Sequence, residues 1–254
     1  MNKPVAFNPS VESLKETLNS DHVIHIHVGK AAGTSIQDSL SRHLSDTPFS
    51  ISEYHCFDSN TRIADLLYNI PEENKISLVI PIRDPLERFI SALHWDIKRY
   101  TEDPTTFAEA HEISKALNLD TNPLNLIDEL IKGNLLANKL SQVGHMKMGY
   151  SWYMPTEIHH KLSKFKLYAI EVDHIEEHTL AAINAIRSTM GIPQCDSFVM
   201  PHKKKAGSHS PGSPGPTQLA ISQMDSSTLL LIRESFLSHE YKAIDSLRTR
   251  AHRY

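Results

Sequence analysis

The sequence predicts an α/β protein: a three-layer sandwich in which helices cover both faces of a mostly parallel central sheet. Two short apolar stretches, Val23–Val28 and Lys75–Ile82, have the length and composition of buried central strands. Each is followed by small or turn-forming residues and then by a helical pattern. Strands that alternate with helices are typical of parallel sheets with helical crossovers. We expect the 254 residues to form a single domain (1–254) with a mobile basic and Gly-Ser-Pro-rich segment at about 202–217.

The elements follow from apolar periodicity and from helix start and stop signals. Residues 1–20 are expected to contain one short helix, and Pro85 marks the start of the helix after the second strong strand. The predicted strands are Val23–Val28, Ile51–Phe57, Lys75–Ile82 and Phe165–Val172. The predicted helices run from the end of the Gly29–Ser35 loop to about Leu44 and over Thr61–Tyr68, Leu86–Tyr100, Phe107–Leu117, Leu124–Leu130, Asn134–Met148 (helix and loop), Thr179–Met190 and Leu229–Leu247.

Composition and charge limit the class of protein. The apolar share of 40% and the charged share of 22% are those of an ordinary globular protein. No apolar run approaches the ~20 residues of a transmembrane helix, and the first residues lack the apolar core of a signal peptide. The two cysteines form neither a disulfide framework nor a zinc motif. With a net charge of -4, we expect a cytoplasmic protein with no membrane span and no nucleic-acid partner.

The segment after the first strand, Gly29–Ser35, has the features of an anion-binding loop. Gly33 allows a ligand to approach the backbone closely, and Thr34 and Ser35 are predicted to cap the following helix. Such a loop directs N–H groups at a ligand on the helix N-terminus, where phosphate or sulfate binds. Lys30 adds a cation. It precedes the small residues, unlike the lysine of the nucleoside-triphosphatase motif G-x-x-x-x-G-K-(S/T).

A second motif, IRDPLERFISA, covers residues 82–92 at the end of the second strong strand. Arg83 leaves the carboxyl end of that strand and offers a rigid fork of donors. Ser91 follows eight residues later, about two helical turns along the same side. Together the two side chains can hold a terminal phosphate.

Both motifs resemble those of PAPS-dependent sulfotransferases, most closely the carbohydrate-type (family 2-like) branch. The loop GKAAGTS is similar to their 5′-phosphosulfate loop, P-K-T-(G/A)-(G/T)-T-(S/W), although Gly29 and Ala31 replace the proline and the first threonine. RDPLERFIS is similar to their 3′-phosphate motif, R-(D/N)-P-x-x-R-x-x-S. The resemblance implies the sulfotransferase version of the P-loop-NTPase-like fold, with 3′-phosphoadenosine 5′-phosphosulfate (PAPS) as co-substrate.

The resemblance also implies the site residues. It assigns the 5′-phosphosulfate to Lys30, Ala32, Gly33, Thr34 and Ser35, and the 3′-phosphate to Arg83 and Ser91. A third region, Pro201–Gly207, lies where the family keeps a loop that closes over the nucleotide, and Lys203 is the candidate there. A solvated run of charge over Lys203–Lys205 is the alternative interpretation.

The implied reaction is O-sulfation of a hydroxyl on a small-molecule or carbohydrate acceptor by in-line displacement. Lys30 is the predicted catalytic cation at the leaving oxygen, and His55 is the predicted general base, with Glu53 as the alternative base. His25 and His27 share one strand face, as in the H-x-H of metal-dependent hydrolases. No matching carboxylate pattern follows them, so no metal is expected.

Two other functions share these sequence features. A P-loop-like small-molecule kinase would use the same strand, loop and helix with ATP and magnesium. A non-catalytic nucleotide-binding relative would hold the donor without transferring its sulfuryl group, and the changed loop residues Gly29 and Ala31 leave that alternative open.

Overall fold

The computed structural model describes residues 6–7, 21–55, 63–69, 76–195, 198, 200 and 216–251. These residues fall into two compact units. The first contains the described residues of 1–83, 153–204 and 242–254, and the second contains those of 84–152 and 205–241. The single domain remains a prediction. The predicted mobile segment, up to residue 215, lies outside the described residues, and so does Lys203. Of residues 1–20, in which a helix was expected, only the strand Ala6–Phe7 is described.

The first unit contains a five-stranded sheet in which every described pairing is parallel. Its spatial order is β1-β3-β2-β4-β5. The strands are β1 Ala6–Phe7, β2 His22–Ile26, β3 Ser50–Tyr54, β4 Ile76–Ile82 and β5 Lys166–Glu171. β2 and β4 are buried along their whole length, which explains their nearly continuous apolar sequences. The predicted α/β class with a mostly parallel sheet is confirmed.

The helices begin and end within a few residues of most predictions. In chain order they are α1 Gly33–His43, α2 Ile63–Asn69, α3 Pro85–Glu102, α4 Ala108–Ala116, α5 Asn125–Ile131, α6 Leu135–Ser141, α7 Gly144–Lys147, α8 Tyr150–Tyr153, α9 His159–Leu162, α10 Ile175–Ser188, α11 Pro216–Ser222, α12 Ser226–Leu231 and α13 Ser238–Arg250. None of these described helices has the length and apolarity needed to cross a membrane.

One predicted helix is interrupted, and one segment predicted as helix and loop contains two helices. The segment predicted as one helix over Leu229–Leu247 consists of α12, a π-helical turn at Ile232–Phe236 and α13. The segment Asn134–Met148 is divided into α6 and α7, and Gly144 at the start of α7 has a positive φ of 60°. Apolar periodicity continues through both interruptions because it reports which side chains are buried rather than how the backbone is wound.

Helices cover both faces of the sheet in the first unit. α1 and α10 pack on one face, against apolar residues of four strands that include Val23, Ile51, Val79 and Ile170. The crossover from β3 to β4 runs opposite to that from β2 to β3. A right-handed crossover therefore puts α2 on the other face.

The second unit is helical and has an apolar core of its own. Phe89, Leu93 and Ile97 of α3 lie in this core with residues of α4, α5, α6 and the π-helical turn. Asp84 caps α3 by accepting hydrogen bonds from the N–H groups of Leu86 and Glu87. The RDP sequence therefore acts as the predicted helix start.

Candidate functional site

The candidate site lies at the carboxyl ends of the central strands of the first unit. β2, β3 and β4 end at Ile26, Tyr54 and Ile82, and Lys30, His55 and Arg83 follow these ends. The chain leaves β2 towards β3 but reaches β4 on the opposite side of β2. This reversal of strand order is where open α/β sheets form their ligand crevice.

The loop between β2 and α1 is tighter than predicted. α1 begins at Gly33, so Thr34 and Ser35 lie inside its first turn and the prediction that they cap it is wrong. The N-cap is Ala32, which has φ 59° and ψ 18° and no side-chain cap. α1 therefore begins inside the predicted Gly29–Ser35 loop, directly after the left-handed Ala32.

Left-handed residues give this loop the shape of an anion cradle. Lys30 and Ala32 both have positive φ, at 67° and 59°, and Ala31 between them does not. Residues of this kind are typical of backbone nests for anions, although the Ala31 N–H already donates to the Val28 carbonyl. The N–H groups of Ser35 and Ile36 both donate to the Ala32 carbonyl, and the first turn of α1 carries the positive end of the helix dipole. The helix field therefore favours an anion at this loop.

The two sequence motifs meet in this loop. Arg83 follows the last residue of β4, and its Nη1 donates a hydrogen bond of 3.1 Å to the backbone carbonyl of Lys30. Both residues are half-buried. The Arg83 side chain is thus bonded to the backbone of Lys30, the other cationic residue, within the predicted phosphosulfate loop.

A histidine–carboxylate pair lies beside the cradle. His27 Nδ1 contacts Glu53 Oε1, and both side chains are largely buried, with 14% and 16% of their surface exposed. The ring of His55 lies edge-on to that of His27, with centroids 4.4 Å apart. A Cβ added to Gly33 would lie less than 3.0 Å from three atoms of the His27 ring. His27 therefore packs directly on the start of α1.

His25 belongs to the core rather than to the exposed part of this group. Its Nδ1 bonds to Gln37 Oε1 of α1 at 2.8 Å, and the residue is fully buried. Desolvation lowers the pKa of His25 well below its usual value, and the neighbouring His27 lowers it further. A neutral His25 that donates from Nδ1 links β2 to α1.

The other arginine of the second motif serves the fold of the second unit. Arg88 is 1% exposed, and its Nη1 donates to the carbonyl of His145 at 2.9 Å. Its Nη2 donates to the carbonyl of Met146 at 3.4 Å. Ser91 lies one turn further along α3 and is half-buried.

The sequence interpretation did not identify His27 as the partner of Glu53. The contact joins the residue after β2 to a residue within β3, and it depends on the parallel register that pairs His25 with Glu53. The available signal was position, because His27 stands between a buried strand and an anion loop.

Comparison of the chain with protein-family models, with curated proteins and with solved structures gives no match.

Proposed function

We propose that this chain is a PAPS-dependent O-sulfotransferase that acts on a hydroxyl of a small-molecule or carbohydrate acceptor. The observation that carries the proposal is the hydrogen bond from Arg83 to the Lys30 carbonyl. The hydrogen bond brings together two motifs that resemble the two phosphate sites for one donor. A donor with phosphates on the 3′ and 5′ oxygens of its ribose requires two such sites close together. The sulfotransferase version of the fold is part of the same proposal.

In the proposed reaction the acceptor oxygen attacks sulfur while the bond from sulfur to the bridging oxygen of the 5′-phosphate breaks. The acceptor proton passes to a base, and adenosine 3′,5′-bisphosphate leaves. Negative charge develops on the bridging oxygen and is stabilised by the ammonium of Lys30 and by the N–H groups of the cradle. Arg83 binds the 3′-phosphate, to which the resemblance also assigns Ser91, and Thr34 and Ser35 add hydroxyl donors at the first turn of α1.

The proposed base is His27, oriented by Glu53. A carboxylate beside one imidazole nitrogen fixes the tautomer and stabilises the imidazolium that forms when the other nitrogen accepts a proton. The same arrangement gives Glu53, the alternative base of the sequence interpretation, an orienting role. His55 packs against the His27 ring and remains the second candidate.

Donor binding provides the first test. We expect calorimetry to detect adenosine 3′,5′-bisphosphate, with binding weakened at least about tenfold by Lys30→Met and by Arg83→Gln, each of which removes a charge-assisted contact. The exposed Arg42→Gln of α1 is the matched control and should leave the affinity unchanged. Binding of ATP with magnesium in preference to the bisphosphate would instead favour a kinase.

The base is tested by comparing variants in turnover. His27→Asn should lower kcat by about 10²–10⁴-fold with little change in bisphosphate affinity, because loss of a general base affects the proton transfer. His55→Asn should lower it much less. The opposite order of the two variants would assign the base to His55.

A further inference from the structure

The anion cradle contains a conformation that needs external support. Lys30 has a φ of 67° without being glycine. Side chains other than glycine are strained in this region, and such residues persist only where the surrounding structure holds them. The residues on either side of Lys30 are buried, but Lys30 itself is half-buried. The hydrogen bond from the Ala31 N–H to the Val28 carbonyl, 3.2 Å long, closes the turn around Lys30.

Arg83 supplies further support. β4 pairs with β2 in parallel up to Val79 and His25, and Arg83 follows the end of β4 as Lys30 follows the end of β2. The guanidinium bonds to the Lys30 carbonyl from this position. A hydrogen bond from a charged donor is about twice as strong as a neutral one, and the planar guanidinium loses little freedom in forming it. The bond therefore acts on the residue that is strained.

We propose that Arg83 is a positioning residue that holds the Lys30 backbone in its left-handed conformation. The loop then keeps its shape, and the Lys30 side chain extends from a backbone of fixed conformation. The catalytic meaning of this role rests on the proposed sulfuryl transfer, in which the resemblance assigns Arg83 only to the 3′-phosphate. The guanidinium has five N–H donors in a fixed plane, so one arginine can bond a loop carbonyl and a phosphate together. A donor's 3′-phosphate would then bind the residue that also shapes the 5′ cradle.

A double-mutant cycle on the ligand-free protein tests the positioning role. Glycine adopts positive φ without strain, so Lys30→Gly removes the need for support. Arg83→Ala should lower the folding equilibrium constant about tenfold in the Lys30→Gly background and less than about threefold in the wild-type background, where relaxation of the strained Lys30 offsets part of the lost hydrogen bond, measured by urea unfolding. Arg42→Ala, which removes an exposed arginine from α1, should have no effect in either background. Equal losses from Arg83→Ala in both backgrounds would overturn the proposal.

Backbone conformation gives a readout that a general loss of stability does not change. With ¹³C-labelled lysine, the Cα chemical shift of Lys30 should move away from its left-handed value in Arg83→Ala and should be partly restored in Arg83→Lys. An unchanged shift in Arg83→Ala would also overturn the positioning role. Neither measurement uses PAPS. If the Arg83 and Lys30 substitutions are coupled but the protein does not bind the bisphosphate, only the proposed function is contradicted. If the protein binds the bisphosphate but the substitutions are not coupled, only the positioning role is contradicted.

Discussion

His27 is the residue at which the elements of the candidate site converge. It follows β2, contacts Glu53 of β3 and packs on Gly33 at the start of α1. Glycine at position 33 is therefore required by a neighbouring side chain as well as by any ligand. This requirement is steric, because Gly33 is not among the residues with positive φ.

Gly33→Ala should destabilise the protein by about 1–3 kcal/mol, because its methyl group overlaps the His27 ring and one of the two must move. In the His27→Ala background the same change should cost less than about 1 kcal/mol, since the ring is gone. Urea unfolding of the four proteins measures both values. A loss that is the same in the two backgrounds would show that the methyl group conflicts with something other than His27.

Two buried histidines, His22 and His25, make the stability of the protein depend on pH. His22 is 2% exposed, and burial lowers its pKa to about 4 from the usual 6.5. Its Nε2 bonds to Ser52 at 2.8 Å. The pKa of the fully buried His25 is lowered as well. Both imidazoles are neutral in the folded protein over the range in which they become charged in the unfolded chain.

Stability should therefore fall as the pH decreases from about 6.5 towards 4. In this window the unfolded chain binds a proton at position 22 and the folded protein does not, which costs up to about 3 kcal/mol for His22 alone. His25 adds to the loss in the same direction. His22→Gln, which keeps a donor near Ser52, should flatten the pH dependence measured by urea unfolding. The exposed His160→Gln should leave it unchanged, and a stability that is independent of pH from 6.5 to 4 would contradict this account.

At the scale of elements, the β2–loop–α1 unit combines a buried strand, two left-handed residues and a helix that begins without a side-chain cap. The sequence predicted the strand, the loop and the helix, but it predicted a side-chain cap from Thr34 and Ser35 and placed the helix start after the Gly29–Ser35 loop. The left-handed Ala32 is the cause, because a pattern of small residues does not reveal which one turns the chain. Pro85 and Asp84 gave a clearer signal for α3, and that start was predicted within one residue.

Ala32→Gly should stabilise the protein by about 1 kcal/mol, because the relief of left-handed strain exceeds the entropy lost on folding a glycine. Ala31→Gly is the matched control one residue away, where φ is not positive. It should destabilise by at least about 0.5–1 kcal/mol, because a glycine loses more entropy on folding and because the buried Ala31 methyl group is removed. The two thermal unfolding midpoints should therefore move in opposite directions. Movement of both in the same direction would rule out strain at Ala32.

At the scale of the whole molecule, the sequence predicted the class of fold better than the contacts of the site. The buried strands β2 and β4 could be predicted because both of their faces are buried and their sequences are rich in Val, Ile and Leu. The strand order could not be predicted, because no local sequence pattern indicates that β2 lies between β3 and β4. The Lys30–Arg83 and His27–Glu53 contacts both follow from that order. Local motifs therefore gave the residue types of the site, and only the topology gave their pairing.

The most direct test of sulfuryl transfer is incubation of the full chain with isotopically labelled PAPS and a metabolite extract, followed by mass spectrometry. We predict a hydroxyl compound that gains the labelled sulfuryl group and an equal amount of adenosine 3′,5′-bisphosphate. Lys30→Met should lower the rate by about 10²–10³-fold, because it removes the cation from the leaving oxygen. Tight binding of the bisphosphate with no labelled product from any acceptor would contradict the enzymatic claim and indicate a nucleotide-binding protein without transferase activity.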